Sequence, residues 1–292
     1  MTVFTDRLVN VLDRLTEKAV EDYYNPFTHF QWPNELPHDA YWMTPSVMST
    51  YGTELESELS QSQLQELSKW ESINFYSMNV HGIRELLIEV VNRVHMPGFE
   101  IPSEFFHHFI GEENEHMWFF AQFCLRYGNK IYPTINMKNE EDQDPEVSNF
   151  LVFSRILLFE EIVDHYNTTM ADDPNLHETI REVNRIHHKD ESRHIAFGRE
   201  LVAVLYDRIK DKISEEKRQG LETYLKRYII SILRSFCNPQ VYRDAGLSNV
   251  SRIRERVLAD PQRHEAERVA IRKPMGFLTK SGIVRDPDLQ TA

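Results

Sequence analysis

The sequence GEENEH at residues 111–116 contains the motif Glu113-x-x-His116, and the sequence DESRH at residues 190–194 contains Glu191-x-x-His194. Residues three positions apart lie on one face of an α-helix, so each motif offers a carboxylate and an imidazole to the same metal ion. Iron and manganese accept this mixed set of oxygen and nitrogen ligands. Two such motifs, far apart in the chain, predict two helices that face each other across a metal site.

Proline-free stretches alternate with loop-forming segments and predict four long helices. Apolar residues recur at three-, four- and seven-residue steps between Leu64 and Val94, and strand alternation is not sustained anywhere. The prolines and glycines between the stretches indicate connections. We therefore predict an all-α protein with a four-helix bundle core over residues 60–208, its helices at about 60–95, 103–127, 147–170 and 175–208.

The rest of the chain is predicted to surround this core within a single domain over residues 1–292. Residues 1–58 should form a helix at about 4–23 and an irregular lead-in with four prolines from residue 25. Residues 210–271 should add helices near 214–236 and 260–270. Residues 272–292 are predicted to be an extended tail.

A dinuclear site in a four-helix bundle needs one further glutamate from each of the two remaining helices. In a helix hairpin, two residues at the same level are about equally far from the connecting loop. This rule nominates Glu85 on the first helix, with Glu89 one turn away, and Glu160 on the third helix, with Glu161 adjacent. Glu85 and Glu160 both lie in apolar sequence, where an unpaired buried carboxylate is costly and metal binding compensates for that cost.

One more residue joins this set on the fourth helix. His187 lies four residues before Glu191 and therefore on the same helix face as Glu191 and His194. Its equivalent before Glu113 is Phe109, so one metal ion would gain an additional imidazole. The sequence thus predicts a site of four carboxylates and three histidines: Glu85, Glu113, His116, Glu160, His187, Glu191 and His194.

Other residues near the motifs have weaker claims to a role. Asp164 and Asp190 are candidates to pair with ligand histidines, and Arg193 is a candidate to balance a buried carboxylate, with surface pairing as the alternative. Histidines that lack a partner at ligand spacing are assigned to the core or the surface, namely His81, His107, His108 and His188. The aromatic residues after the first motif are assigned to the core, with a substrate cavity as the alternative: Trp118, Phe119, Phe120 and Phe123.

Composition limits the environment and the partners. The chain has 33 basic and 46 acidic residues, a formal net charge of −13, which argues against binding nucleic acid or anionic lipid. Its apolar runs are far shorter than the roughly 20 residues of a membrane span, and early charges break up any signal-peptide core. The 2 cysteines are too few for a disulfide framework. We therefore expect a cytoplasmic protein.

The ligand pattern resembles that of a known group, the ferritin-like diiron N-oxygenases of the AurF-like family, typified by p-aminobenzoate N-oxygenase. The similarity covers roughly residues 25–235 and extends to the lead-in of that family. It rests on Glu113-x-x-His116, Glu160, His187-x-x-x-Glu191-x-x-His194, Asn25-Pro26, Trp32-Pro33, Tyr51-Gly52-Thr53 and Leu59.

The resemblance implies a ferritin-like fold in which the seven predicted ligands hold two ferrous ions, with Glu113 and Glu191 as the bridging carboxylates. It also implies that O2 is the co-substrate and that an amine nitrogen is oxidised to a hydroxylamine, with nitroso and nitro groups as further stages. The substrate would be a small or carrier-protein-tethered amine of secondary metabolism, and an external electron donor would return the metals to the ferrous state. An Fe/Fe pair is expected, with Mn/Fe as the alternative, and a homodimer is left open.

Three other functions are compatible with the same residues. A diiron hydroxylase, desaturase or oxidase would use the same metals on carbon, and ligand spacing does not distinguish oxidation at nitrogen from oxidation at carbon. A non-enzymatic metal-binding bundle would need only the core helices. A helical scaffold for a partner protein would carry no stoichiometric metal.

Overall fold

The computed structural model describes residues 6–133 and 142–289. None of the helices in these two ranges has the length and apolar character needed to cross a membrane. The regular structure in these ranges is helical, with short turns of 3-10 helix at Pro45–Val47 and π-helix at Cys124–Gly128. The α-helices are α1 (Asp6–Glu21), α2 (Pro26–His29), α3 (Glu54–Glu58), α4 (Gln61–Val91), α5 (Ser103–Phe123), α6 (Pro145–Asp172), α7 (Glu178–Ile209), α8 (Glu215–Phe236), α9 (Pro239–Asp244), α10 (Val250–Ala259) and α11 (Pro261–Lys280).

Helices α4 to α7 form a four-helix core. α4 packs along α5 and α6 packs along α7, while α5 also contacts α7 and α4 also contacts α6. The four long helices predicted from the sequence are confirmed, with ends displaced by a few residues. The remaining helices surround this core: α1 packs on α5 and α7, α8 on α4 and α6, α9 on α4, and α11 along α6.

Local side-chain contacts begin the core helices where the sequence indicates. Ser60 forms a capping box with Gln63, in which the Ser60 hydroxyl accepts from the Gln63 N–H and the Gln63 side chain accepts from the Ser60 N–H. The Asp144 carboxylate accepts from the Glu146 N–H before α6, and Pro145 occupies the first helical position, where no N–H is needed. These caps fix the residues at which α4 and α6 begin.

The end of the chain differs from the predicted extended tail. α11 continues beyond Arg272 to Lys280 and includes Pro274 within the helix. A proline inside a helix removes one hydrogen bond, but Pro274, Met275 and Leu278 are buried, and packing of α11 on α6 stabilises the continued helix. Residues 290–292 of the predicted tail and residues 134–141 of the connection before α6 lie outside the described residues.

Aromatic side chains fill the bundle on both sides of the two Glu-x-x-His motifs. Near the connection between α4 and α5, Phe106 stacks on Phe153 with ring centroids 5.8 Å apart. One turn beyond His116, Phe120 stacks on Tyr76 at 5.2 Å. All four rings are buried. The motifs therefore lie in an apolar interior, where each of their polar atoms needs a partner.

Candidate metal centre

Glu113 and His116 of α5 meet Glu191 and His194 of α7 in the middle of the bundle. One ligand atom from each side chain lies within 4.8 Å of the others, and all four side chains are buried. His194 Nδ1 lies 2.7 Å from Glu113 Oε1, and His116 Nδ1 lies 3.5 Å from the same oxygen. The packing of α5 against α7 thus brings the two sequence motifs together.

Two further predicted residues lie at this cluster. His187 Nε2 is 2.8 Å from Glu191 Oε1, and the His187 ring centroid is 4.6 Å from that of His116. Glu160 on α6 is buried, and the charges of Glu191, His194 and Glu113 act on its carboxyl group. We refer to Glu113, His116, Glu160, His187, Glu191 and His194 as the Glu/His cluster.

The structure does not bring Glu85 to the Glu/His cluster, which corrects the prediction from the hairpin rule. The Glu85 side chain is 55% exposed and forms an ion pair with Arg84 at 3.1 Å. Its alternative, Glu89, pairs with Arg93 at 2.7 Å. The hairpin rule gives the level of a residue along the helix but not the direction of its side chain, and both glutamates project away from the centre of the bundle.

The neighbouring acids Glu160 and Glu161 have separate roles. Arg199 donates two hydrogen bonds to Glu161, from Nε to Oε1 at 2.8 Å and from Nη2 to Oε2 at 2.7 Å. Both oxygens of Glu160 are buried without a hydrogen-bond partner. Glu160 is therefore the α6 carboxylate beside the cluster, and the buried Glu161 is paired with Arg199 instead.

Two of the cluster histidines contact a carboxylate through Nε2, the ring nitrogen that faces away from the cluster. His116 Nε2 lies 3.0 Å from Asp190 Oδ2, and His194 Nε2 lies 2.8 Å from Glu112 Oε2. Arg193 donates to both carboxylates at 2.6 Å. These contacts direct the Nδ1 atoms of both rings toward the cluster and make the imidazoles more basic. The predicted contacts of Asp190 with a histidine of the motifs and of Arg193 with a buried carboxylate are thus observed. No spacing in the sequence indicated Glu112, because it contacts a histidine on another helix.

The remaining candidate residues contact other parts of the structure. Asp164 Oδ1 lies 2.6 Å from Nδ1 of His188, which is not a member of the cluster, so the predicted pairing of Asp164 with a ligand histidine is not observed. The Asn167 amide contacts His187 Nδ1 and leaves Nε2 to face the cluster. His81 Nε2 donates to the Tyr132 carbonyl.

Electrostatics within the cluster are balanced between carboxylates and imidazoles. Burial and the charge of Glu191 act to raise the pKa of Glu113, but His116 and His194 offset both, and the net pKa is lowered. Burial acts to lower the pKa of His116, yet Glu113 and Asp190 raise it to about 10. Burial, then the charge of Glu191, raises the pKa of Glu160. The neighbouring carboxylates thus favour the protonated forms of His116 and His194, and binding of a metal releases protons.

Most of the polar atoms that face the inside of the cluster lack a hydrogen-bond partner. Buried atoms without a hydrogen-bond partner are Glu113 Oε1 and Oε2, Glu160 Oε1 and Oε2, Glu191 Oε2, His116 Nδ1, His187 Nε2 and His194 Nδ1. Native proteins leave few buried polar atoms unpaired, and each such atom calls for an explanation. Oxygen and nitrogen atoms that converge at short distances without hydrogen-bond geometry are the donor set of a non-haem iron or manganese site. The residues present therefore fit a metal cofactor.

A cavity of about 180 Å³ lies between α4, α6 and α8. Its lining includes Gly82, Phe159 and Tyr228, together with the charged residues Glu89 and Arg155. Phe159 directly precedes Glu160. Burial raises the pKa of Tyr228, which also lines the cavity, and the charge of Glu160 adds to this effect. The cavity therefore approaches the Glu/His cluster from the α6 side.

The sequence matches one protein family over residues 6–282, and this family is described as P-aminobenzoate N-oxygenase AurF. The chain belongs to the AurF family. No curated protein matches the chain. Among solved structures, a mutant R2-like ligand-binding oxidase with an anaerobically reconstituted Mn/Fe cofactor is similar at 13% sequence identity and a TM-score of 0.45, over 89% of this chain and 93% of that one.

Membership of the AurF family identifies the protein as an oxygen-dependent oxidoreductase of the diiron oxygenase class. The resemblance seen in the sequence motifs is thereby confirmed. The buried Glu/His cluster can hold two metal ions. In this AurF-family chain the two Glu-x-x-His motifs form one site. Glu160 and His187 lie beside it, and Glu85 lies outside the cluster.

Proposed function

We propose that this AurF-family protein is a diiron N-oxygenase, which uses O2 to oxidise the amine nitrogen of a small or carrier-bound substrate. The observation that carries the proposal is the convergence of buried, unpaired carboxylate oxygens and imidazole nitrogens. We propose the six residues of the Glu/His cluster as the metal ligands. When bound, the two iron ions supply the activation of O2.

The protein residues around the ligands exclude water and fix the ligand geometry. Phe109 packs on His194 with ring centroids 4.4 Å apart, and Phe120 packs on His187 at 4.8 Å. Their apolar surfaces limit access of bulk water to the site and so protect a reactive oxidant from side reactions. Asp190 and Glu112 hold the rings of His116 and His194 so that the same nitrogen of each ring faces the metals.

We propose that the amine substrate binds in the cavity between α4, α6 and α8. Phe159 lines this cavity and directly precedes Glu160, so a substrate in the cavity would lie on the α6 side of the cluster. Glu85 also lines the cavity and is largely exposed, so the cavity reaches the protein surface. That opening admits a free amine or the tethered end of a carrier-bound amine.

The proposal includes a reducing environment and an external electron donor. Cys124 and Cys237 are both free and buried, as expected for a protein of the reducing cytoplasm. An electron donor is needed because each turnover must return the metals to the ferrous state. The homodimer considered from the sequence stays a prediction.

The test combines metal analysis with a screen of amines. The purified chain, loaded anaerobically with ferrous iron, is expected to hold about two irons, the stoichiometry of a dinuclear bundle site. With O2, a reductant and an arylamine or amino-acid amine, mass spectrometry should show an oxygen atom added at nitrogen. Oxygen added only at carbon would favour the hydroxylase alternative, and a chain that takes up no iron would favour the scaffold.

Adjacent residues on α6 provide a matched pair of variants for the same test. Glu160→Gln removes a proposed ligand and should lower both iron content and product formation. Glu161→Gln changes the same chemical group one residue away, where the partner is Arg199 rather than the cluster. It should keep the iron content of the unmodified protein. Equal iron content in the two variants would contradict the assignment of Glu160.

A further inference from the structure

Three of the four core helices contribute acidic groups to the Glu/His cluster, and α4 contributes none. The glutamates of α4 from Glu85 onward face the cavity or the surface, and Glu71 accepts hydrogen bonds from Ser49 instead. Glu71 lies twelve residues before Ile83, which corresponds to about 18 Å along the helix. A symmetric dinuclear carboxylate site in a four-helix bundle takes a carboxylate from every helix.

Contacts on either side show which part of α4 lies beside the cluster. Asn184 on α7, three residues before His187, donates from Nδ2 to Tyr76 Oη at 2.7 Å. Farther along α4, a Cβ atom at Gly82 would meet the Phe159 ring at 2.3 Å, so Gly82 is in contact with the residue before Glu160. The stretch of α4 that follows Tyr76 by one to three turns therefore lies level with the cluster.

The buried side chains of this stretch are neutral. They are Asn79, Ile83 and Leu86, which recur at helical spacing on the inward face of α4. Asn79 donates from Nδ2 to the Phe75 carbonyl at 2.9 Å, and its Oδ1 is buried without a hydrogen-bond partner. In a symmetric site this face of α4 would carry a carboxylate. In this protein it carries the amide of Asn79 and the aliphatic side chains of Ile83 and Leu86.

We propose that the two metal ions of this protein bind with unequal affinity because α4 supplies no carboxylate, so that one ion would have fewer protein ligands than the other. The inference rests on the proposed dinuclear function. Three carboxylates bring three negative charges against the four positive charges of two divalent ions. Asp190 and Glu112, partly balanced by Arg193, supply the remaining negative charge from the outer side of the histidines. The pair is thus neutralised overall, but one ion has fewer direct ligands.

The test is an anaerobic titration of the metal-stripped full-length protein with Mn²⁺, in which electron paramagnetic resonance measures the free ion. The expected result is one tight site and a second site weaker by a factor of about ten or more. Two sites of equal affinity would overturn the inference while leaving the proposed function intact. A protein that binds no Mn²⁺ or Fe²⁺ would instead overturn the proposed function.

Variants of Ile83 test whether the missing carboxylate is the cause. Ile83→Glu should increase the Mn²⁺ affinity of the weaker site about tenfold. Ile83→Gln introduces a side chain of similar size without charge and should leave the ratio of the two affinities unchanged. If Ile83→Glu does not fold, Asn79→Asp introduces a carboxylate of nearly the same shape on the same helix face and should also narrow the ratio. An unchanged ratio in a folded carboxylate variant would reject α4 as the cause.

Discussion

His116 and His188 both pair with an aspartate, but only His116 belongs to the Glu/His cluster. Asp190 lies 3.0 Å from His116 Nε2, and Asp164 lies 2.6 Å from His188 Nδ1. Asp190 directs the free nitrogen of its histidine toward the rest of the cluster, while Asp164 holds a side chain that is 37% exposed. The two pairs thus contain the same chemical groups in different structural roles.

We predict that Asp190→Asn lowers metal affinity, whereas Asp164→Asn does not. The neutral amide accepts a weaker hydrogen bond and no longer makes His116 more basic, and changes of this kind typically cost 10- to 100-fold in metal affinity. Competition with a chelator of known affinity measures the effect. Equal losses in the two variants would show that the contact to His116 has no special role.

Glu71 provides a prediction about pH. Burial raises its pKa from 4.5 to about 7, and the hydrogen bonds from the Ser49 hydroxyl and N–H offset only part of that effect. Because the folded pKa is above the unfolded one, the contribution of Glu71 to stability is fully present below pH 4.5 and is lost as the pH rises through about 7. The loss is at most about 3 kcal/mol.

Glu71→Gln should therefore flatten the decrease in the free energy of unfolding between pH 5 and pH 8. Urea denaturation at the two pH values measures this difference. Glu17→Gln, at an exposed position of α1, serves as the control and should leave the pH dependence as it is. If both variants follow the unmodified protein, ionisation of Glu71 is not linked to folding.

At the scale of helices, α4 and α6 approach closely at a single glycine. A Cβ atom at Gly82 would meet three Phe159 ring atoms, two of them at 2.3 and 2.4 Å. Phe159 lines the cavity and is followed by Glu160, so this contact sets the position of the α6 carboxylate relative to α4. Gly220 in α8 has no heavy atom within 4 Å of an added Cβ.

Gly82→Ala should destabilise the protein by about 1–3 kcal/mol, because the Phe159 ring has to move in a packed interior, and it should also weaken metal binding. Gly220→Ala should have the opposite sign and stabilise the protein by about 1 kcal/mol, since alanine favours the helix. Urea unfolding and Mn²⁺ titration of both variants measure the two effects. A stable Gly82→Ala variant with unchanged metal binding would refute the role of this contact.

At the scale of the whole molecule, the bundle encloses acidic groups whose oxygens mostly lack hydrogen-bond partners. Glu113, Glu160 and Glu191 are all buried, and removal of one partner of a buried charge is strongly destabilising. A bound metal pair compensates these charges and links α5, α6 and α7. Metal binding should therefore stabilise the entire bundle rather than one loop.

We predict that chelation of the metals lowers the melting temperature and that re-addition of Fe²⁺ or Mn²⁺ restores it. A free metal concentration one hundred times the Kd corresponds to about 2.7 kcal/mol of stabilisation. Differential scanning calorimetry under anaerobic conditions measures the shift, with Mg²⁺ as the control ion because it binds fewer nitrogen ligands. Identical melting temperatures with and without metal would contradict a metal site in the core.

The sequence by itself determined the four long helices and the five cluster residues on α5 and α7, namely Glu113, His116, His187, Glu191 and His194. These are local properties, because apolar periodicity, caps and three- or four-residue spacing act within one helix. The hairpin rule also identified Glu160, because its side chain points toward the cluster as well as lying at the level that the rule gives.

Only the tertiary structure decided which side chains face the cluster from other helices. Glu85 lies at a suitable level but points outward, Glu112 reaches across to His194, and α11 continues through Pro274 because α6 packs against it. The positions of Glu85 and Glu112 depend on the rotation of one helix relative to another. That rotation is set by the packing of many side chains at once, and spacing within a single segment does not encode it.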